Sequence, residues 1–204
     1  IRGGIVGVGT DIGGSIRVPS AFNFLYGLRP SHGRLPYGKM ANSMEGQETV
    51  HSVVGPITHS VPDMRLFVQS VLEQEPWKHD SKVIPMPWRQ SEHDAAVKKI
   101  TSDKLTLGFF NNDGVVMPHP PILRGVDKVV STLRENGHEV IDWKPYRHDY
   151  AVDLIQGIYA SDAGKDIHTV LSASGEPAIP NINDLVDPSI SGADITKLWD
   201  VQLQ

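Results

Sequence analysis

A strand–helix–strand pattern between residues 105 and 143 constrains the fold of this chain more than any other feature. Residues 105–110 and 138–143 are typical strand segments, and residues 122–136 between them have apolar side chains at helical spacing with Gly137 at the end. The expected core face of this helix is Val126, Val129, Val130 and Leu133. Two strands joined through one helix form a βαβ unit, which implies parallel strands and a right-handed crossover. The pattern predicts an α/β fold with a mixed β-sheet flanked by helices.

Length and composition narrow the class of protein. The 204 residues suffice for one domain with a substantial core, and 39% hydrophobic with 21% charged residues is an ordinary globular composition. The net charge of −5 argues against nucleic acid or an anionic membrane as the main partner. The sequence has no cysteine, which excludes disulfides, cysteine-ligated zinc and thiol nucleophiles. Since neither a membrane span nor a signal peptide is visible, a cytoplasmic location is expected.

Shorter patterns predict the remaining elements. A helix is expected over residues 19–25, because Pro19 suits a first helical position. A short strand is expected over residues 50–54, followed by a turn at Gly55 and Pro56. Ser60 is a plausible N-cap of the next helix, and a further helix is expected over residues 150–171.

The stretch GVGTDIGGSIRVPS, residues 7–20, is the main candidate for a functional site. It departs from a dinucleotide-binding fingerprint because its third glycine, Gly13, comes one residue late and no acidic residue follows at the required distance. A P-loop needs a lysine before the serine, where Gly14 stands. A hydrolase nucleophile elbow needs a glycine two residues after Ser15, where Arg17 stands. These three interpretations are excluded.

The same residues suit a serine nucleophile beside an oxyanion hole. Glycines at positions 13 and 14 permit several consecutive N–H groups to point to one place and let a substrate carbonyl approach the backbone. Such donors stabilise the oxyanion that forms when a hydroxyl attacks an amide, typically by about 3 kcal/mol each. Asp11 and Arg17 flank the turn with opposite charges and are expected to hold it. A glycine-rich βα connection without chemistry is the alternative.

Several blocks of the chain resemble one known family. Residues 9–19, GTDIGGSIRVP, resemble the second half of the amidase signature motif. Residues 27–34, GLRPSHGR, and residues 51–61, HSVVGPITHSV, with Asp63 are similar to the blocks that follow it in that family. The strand–helix–strand unit at 105–143 also lies where the family has one, so the resemblance covers essentially the whole chain.

The resemblance implies the amidase signature fold and hydrolysis of a carboxylic amide through an acyl-enzyme on a serine. It places the nucleophile on Ser15. The implied oxyanion-hole donors are the amides of Ile12, Gly13, Gly14 and Ser15, with Thr10, Asp11 and Arg17 in supporting positions. The family's lysine and cis-peptide serine fall upstream of Ile1, so we expect residues 1–204 to be an internal, incomplete part of one amidase domain, inactive alone. No cofactor and no metal are implied.

A narrower resemblance concerns the substrate. Residues 42–48, NSMEGQE, and 83–89, VIPMPWR, are similar to the general amidases and acetamidases of fungi, which implies a small aliphatic amide. Ser43 and Met44 then become candidates for lining the acyl pocket, with a solvent-exposed loop as the alternative. The other options are a branch like fatty-acid amide hydrolase, an amidotransferase-like branch, or a truncated chain without catalysis. The expected partner is a small-molecule amide, and a homo-oligomer is left open.

Nine histidines raise two further alternatives. His32, His51 and His59 could join Ser15 in a Ser–His–Asp arrangement, although the family needs no histidine. His51 and His59 are eight residues apart, which is poor spacing for a zinc site. We therefore expect neither a histidine-based triad nor a metal.

Overall fold

The computed structural model describes residues 3–185 and 191–203. The chain divides into two compact units, Ile1–Arg89 and Gln90–Gln204, called the first and the second unit below. Helices and two small sheets give an α/β fold, as the sequence predicts. That the chain forms part of a single amidase domain stays a prediction. Among the described residues, no helix combines the length and the apolar character needed to cross a bilayer.

The first unit is built on a three-stranded antiparallel sheet. Its strands are β1 (Val6–Asp11), β2 (Tyr26–Gly27) and β3 (Val53–Thr58), in the spatial order β1-β3-β2. The register pairs Asp11 with Val53 at one end of β1 and Tyr26 with Thr58 in β2. Because β1 ends at Asp11, the glycine-rich stretch enters its turn directly from a paired strand.

The expected turn at Gly55 and Pro56 is wrong, because both residues lie inside β3, the central strand. Pro56 accepts a hydrogen bond from the Leu28 N–H (3.1 Å). The N–H and C=O of one residue point to the same side of a strand, so the missing N–H of Pro56 faces this side. Leu28 lies opposite Pro56 in the register, so proline removes only the reciprocal bond of this pair, at the point where the two-residue β2 ends.

Two α-helices and a short 3-10 helix complete the first unit. Helix α1 spans Arg17–Phe22, two residues ahead of the predicted start, and helix α2 spans Val61–Glu73. The predicted N-cap is confirmed: Ser60 Oγ accepts from the Asp63 N–H (3.2 Å) and donates to Asp63 Oδ2 (2.6 Å). The 3-10 helix spans Pro76–Lys78.

The core of the first unit lies between α2 and the segment that follows β2. Its buried members are Leu35, Val68 and Leu72. The partly buried side chains packed against them are Leu28, Phe67, Val71 and Trp88. Helix α2 thus supplies two of the three buried side chains, Val68 and Leu72.

The second unit contains the predicted βαβ unit. Helix α3 (Gln90–Ser102) precedes β4 (Thr106–Phe109), α4 (Pro120–Glu135) and β5 (Glu139–Asp142). Strands β4 and β5 pair in parallel, which confirms the pattern. In α4 the expected core face is partly wrong, because Val130 is buried whereas Val129 is 58% exposed.

The predicted long helix over residues 150–171 is two helices. They are α5 (His148–Tyr159) and α6 (Lys165–Ser174). Ala163 (φ 56°) and Gly164 (φ 68°) are both in the left-handed region, and Asp162 accepts hydrogen bonds from the N–H groups of Gly164 and Asp166. This local structure ends one helix and begins the next. A 3-10 helix (Pro180–Leu185) and helix α7 (Ile195–Gln202) follow.

Candidate active site

The carboxylate of Asp11 organises the turn that carries Ser15. Asp11 is 0% exposed at the end of β1. Its Oδ1 accepts from the Gly14 N–H (2.8 Å), and its Oδ2 accepts from the backbone N–H groups of Ile16 (3.2 Å) and Arg17 (3.3 Å). The Arg17 guanidinium adds two bonds, from Nε to Oδ2 and from Nη2 to Oδ1, both 3.0 Å. Asp11 and Arg17 therefore hold the turn, as their flanking charges predict.

The charge of Asp11 is strongly favoured by these contacts. The Arg17 hydrogen bond, opposed by desolvation and reinforced by the backbone N–H groups, lowers the pKa of Asp11 to about 2. The carboxylate is thus ionised at every pH near neutrality. The Arg17 side chain is 55% exposed, so the ion pair reaches from the buried end of β1 to the surface.

Ile16 anchors the same turn to the sheet. It is 0% exposed, and its side chain lies against Gly9, Gly27 and Gly55, one glycine from each strand. A Cβ placed on any of the three would come within 3.0 Å of an Ile16 atom. No local sequence pattern indicates this glycine surface, because the three glycines come together only when the three strands pair.

Ser15 is exposed between two buried neighbours, Gly14 and Ile16. Its Oγ makes no hydrogen bond to any described residue, so it is open to a substrate.

The three histidines considered for a triad have other contacts. His32 and His51 stack with ring centroids 3.7 Å apart, and His59 Nε2 lies 3.2 Å from the Gly4 carbonyl oxygen. Within the described residues nothing brings a histidine to Ser15.

The four amides assigned to the oxyanion hole differ in their hydrogen bonds. Over residues 3–185 and 191–203, the N–H groups of Ile12, Gly13 and Ser15 donate to no protein acceptor. The Gly14 N–H instead donates to Asp11, with Gly14 at φ 137°. Three of the four predicted donors are available in this structure, and the fourth supports the turn. Thr10, the remaining supporting residue, is half-buried in β1 opposite Val54.

A pocket of about 290 Å³ lies in the first unit near this turn. Met44 lines it, whereas Ser43 and Ser15 do not. That Ser43 and Met44 line an acyl pocket stays a prediction. Val53 lines the pocket and also pairs with Asp11 across the sheet. The pocket therefore begins beside the strand end from which the Ser15 turn starts.

Charged and imidazole groups form much of the pocket wall. They include His32, His51, Glu48, Asp80 and Lys82. Despite this concentration, no group of three or more His, Asp or Glu side chains suited to a metal ion is found in the part of the chain that the structure describes.

Comparison with known proteins identifies the family. The family model described as Amidase matches residues 1–204. The chain belongs to the amidase family. It is 68% identical over its whole length to an acetamidase of Emericella nidulans and 63% identical to an acetamidase of Aspergillus oryzae. It spans 37% of the length of each of these amidases.

Solved structures agree with this assignment. A fatty acid amide hydrolase superposes with a TM-score of 0.84 at 30% identity, over 97% of this chain and 34% of that one. A bacterial aryl acylamidase of the amidase signature family matches with a TM-score of 0.68 at 21% identity, covering 98% of this chain and 41% of that one, which bears on the fold alone. The predicted fold and the resemblance to the amidase family are confirmed, while the roles of individual residues stay predictions.

Proposed function

We propose that the protein to which this chain belongs is an amidase that hydrolyses a small aliphatic carboxylic amide to the acid and ammonia. The observation that carries the proposal is the exposed Ser15, set among N–H groups without protein acceptors on a turn held by Asp11. Membership of the amidase family and the similarity to two acetamidases support the reaction type.

The proposed reaction begins with attack of Ser15 Oγ on the amide carbonyl carbon. Negative charge then develops on the carbonyl oxygen, which the N–H groups of Ile12, Gly13 and Ser15 are available to bind. The C–N bond breaks, the leaving nitrogen takes up a proton and departs as ammonia, and an ester remains on Ser15. Water attacks this ester, releasing the acid and restoring the hydroxyl.

A serine hydroxyl needs a base to become a useful nucleophile. In the family this base is a lysine acting through a second serine, and we assign neither role to a residue of this chain. Lys78 donates to Glu75 on the surface, and Lys39 is an exposed pocket residue. The proposal therefore requires both groups from the remainder of the full-length enzyme.

The proposed substrate class rests on the pocket and on the relatives. About 290 Å³ is room for a small molecule, and the wall sets a few apolar side chains, Leu35, Met40, Met44 and Val53, among charged and imidazole groups. A short acyl group suits this wall better than a long alkyl chain. A small-molecule amide is the partner that this mechanism needs.

The test is ammonia release by the full-length protein with acetamide as substrate. Ser15→Ala is expected to lower kcat at least about a thousandfold while leaving the circular dichroism spectrum and the thermal midpoint unchanged. Ser31→Ala, which removes another exposed hydroxyl in the same unit, is the matched control and should keep full activity. Unchanged turnover by Ser15→Ala would overturn the assignment, and a wild type inactive on all amides would favour a non-catalytic chain.

A further inference from the structure

Residues 42–48, called the pocket loop here, line part of the 290 Å³ pocket with every residue except Ser43. Two of these residues have left-handed backbone, Met44 at φ 53° and Gly46 at φ 94°. The side chain of Gln47 accepts hydrogen bonds from the N–H groups of Thr49 (3.0 Å) and Val50 (3.1 Å). The C-terminal end of the loop is thus ordered by local contacts, which places the next residue, Glu48, at a defined point of the wall.

Glu48 connects the pocket loop to another segment of the pocket wall. Its Oε1 accepts a hydrogen bond from Lys82 Nζ at 2.6 Å, although the two residues are 34 positions apart. Its Oε2 lies 3.4 Å from His51 Nδ1. One carboxylate therefore joins the loop to two other parts of the wall.

The segment that supplies Lys82 is itself held in place. The carboxylate of Asp80 accepts from the N–H groups of Tyr37 and Gly38, both at 2.8 Å, and from the Lys82 N–H at 3.0 Å. Lys82 is thus presented from a segment fixed to the chain before the pocket loop. The ion pair between Glu48 and Lys82 therefore joins the irregular pocket loop to a segment whose backbone is held by hydrogen bonds.

We propose that the Glu48–Lys82 pair determines acyl-chain selectivity by holding the pocket loop, with Met44, against the segment that carries Lys82. This rests on the proposed function, because it takes the pocket as the acyl site of an amidase. Glu48 and Lys82 are positioning residues that act through Met44. Without the pair, the loop can move outward, so a short acyl group loses contacts and a longer one gains room.

The size of the effect is limited by solvent. Glu48 and Lys82 side chains are 54% and 62% exposed, and ion pairs of such exposure contribute little to a conformational equilibrium. We expect a change in selectivity of about two- to fivefold, well below the change that the loss of a buried contact to substrate would cause.

The experiment measures kcat and KM of the full-length enzyme for acetamide, butanamide and hexanamide. Glu48→Gln and Lys82→Met should each raise the ratio of kcat/KM for hexanamide over acetamide by about two- to fivefold, through KM and with kcat unchanged. The double variant should equal the single variants, since both remove one interaction. Raising the salt concentration should shift the wild type toward the variants.

The matched control is the exposed pair of Glu75 and Lys78, which also joins a glutamate to a lysine. Glu75→Gln and Lys78→Met should leave the selectivity ratio at the wild-type value. An unchanged ratio in both Glu48→Gln and Lys82→Met, with an active wild type, overturns this proposal and leaves the proposed function standing. A wild type inactive on every amide overturns the proposed function first.

Discussion

Replacing Asp11 by asparagine tests how the Ser15 turn is held. The substitution keeps the shape of the side chain but removes its charge and turns one acceptor into an NH₂ donor. The buried carboxylate accepts from the N–H groups of Gly14, Ile16 and Arg17 and from the Arg17 guanidinium. An asparagine side chain has only one acceptor oxygen in place of the two carboxylate oxygens, so some of these N–H groups lose their partner.

The magnitude follows from the structure. The lowering of the Asp11 pKa from 3.8 to about 2 corresponds to about 2 kcal/mol of favourable interaction with the ionised form. A buried N–H left facing the new NH₂ group costs about 1 to 3 kcal/mol more. We expect Asp11→Asn to lower the free energy of unfolding by about 3 kcal/mol and kcat by about 10- to 100-fold, with a smaller change in KM.

The assays are urea unfolding and ammonia release by the full-length enzyme. Asp63→Asn, at the N-terminus of α2 and outside the Ser15 turn, is the control and should cost about 1 kcal/mol without lowering kcat. The contribution of ionised Asp11 to the free energy of unfolding is fully present above 3.8, the pKa of Asp11 in the unfolded chain. It is lost as the pH falls toward 2, because the pKa of Asp11 is lower in the folded state. If Asp11→Asn unfolds at the wild-type urea concentration and retains kcat, the described role of Asp11 is refuted.

Two further predictions concern packing and pH. Gly55→Ala should cost at least about 3 kcal/mol of unfolding free energy, because its Cβ would lie 2.0 Å from the Leu28 carbonyl oxygen. Gly125→Ala, with open space around the same atom inside α4, should instead stabilise by about 0.5 to 1 kcal/mol, and equal urea midpoints for the two variants would contradict this contrast. Desolvation and the nearby His51 charge lower the pKa of His32 below 6.5, so acidification below this pH should reduce stability, since the unfolded state then binds more protons. The thermal midpoint between pH 7.5 and 5 should fall less in His32→Phe than in the wild type, and an identical fall would exclude His32 as the cause.

The sequence predicted the elements whose signals are local. The strands and helix of the βαβ unit, the Ser60 cap and the glycine-rich segment that precedes Ser15 are each visible in residues that are close in the chain. Such patterns depend on backbone preferences and on apolar periodicity, which a short window contains in full. The amidase motif belongs to this group as well, because its residues are contiguous from position 9 to position 19.

The errors have two sources. Gly55 and Pro56 have the composition of a turn, yet they lie in the central strand because they pair with Gly9 and Val8 of β1, which are distant in the chain. The helix expected over residues 150–171 is instead divided by local contacts, since the Asp162 side chain accepts from the N–H groups of Gly164 and Asp166. The first error is a tertiary effect, and the second is a local turn signal that helical spacing alone does not contain.

The sequence by itself determined the family, the candidate nucleophile Ser15 and the charged residues that flank it. The tertiary structure decided that Ile16 fits against three glycines from three strands, and that the Gly14 N–H donates to Asp11. It also decided that Glu48 reaches Lys82, 34 positions further along the chain. The physical reason is that Ile16 and Glu48 contact residues distant in the chain, while the Asp11–Gly14 bond depends on the backbone angles of the turn, and only the folded backbone sets these distances and directions.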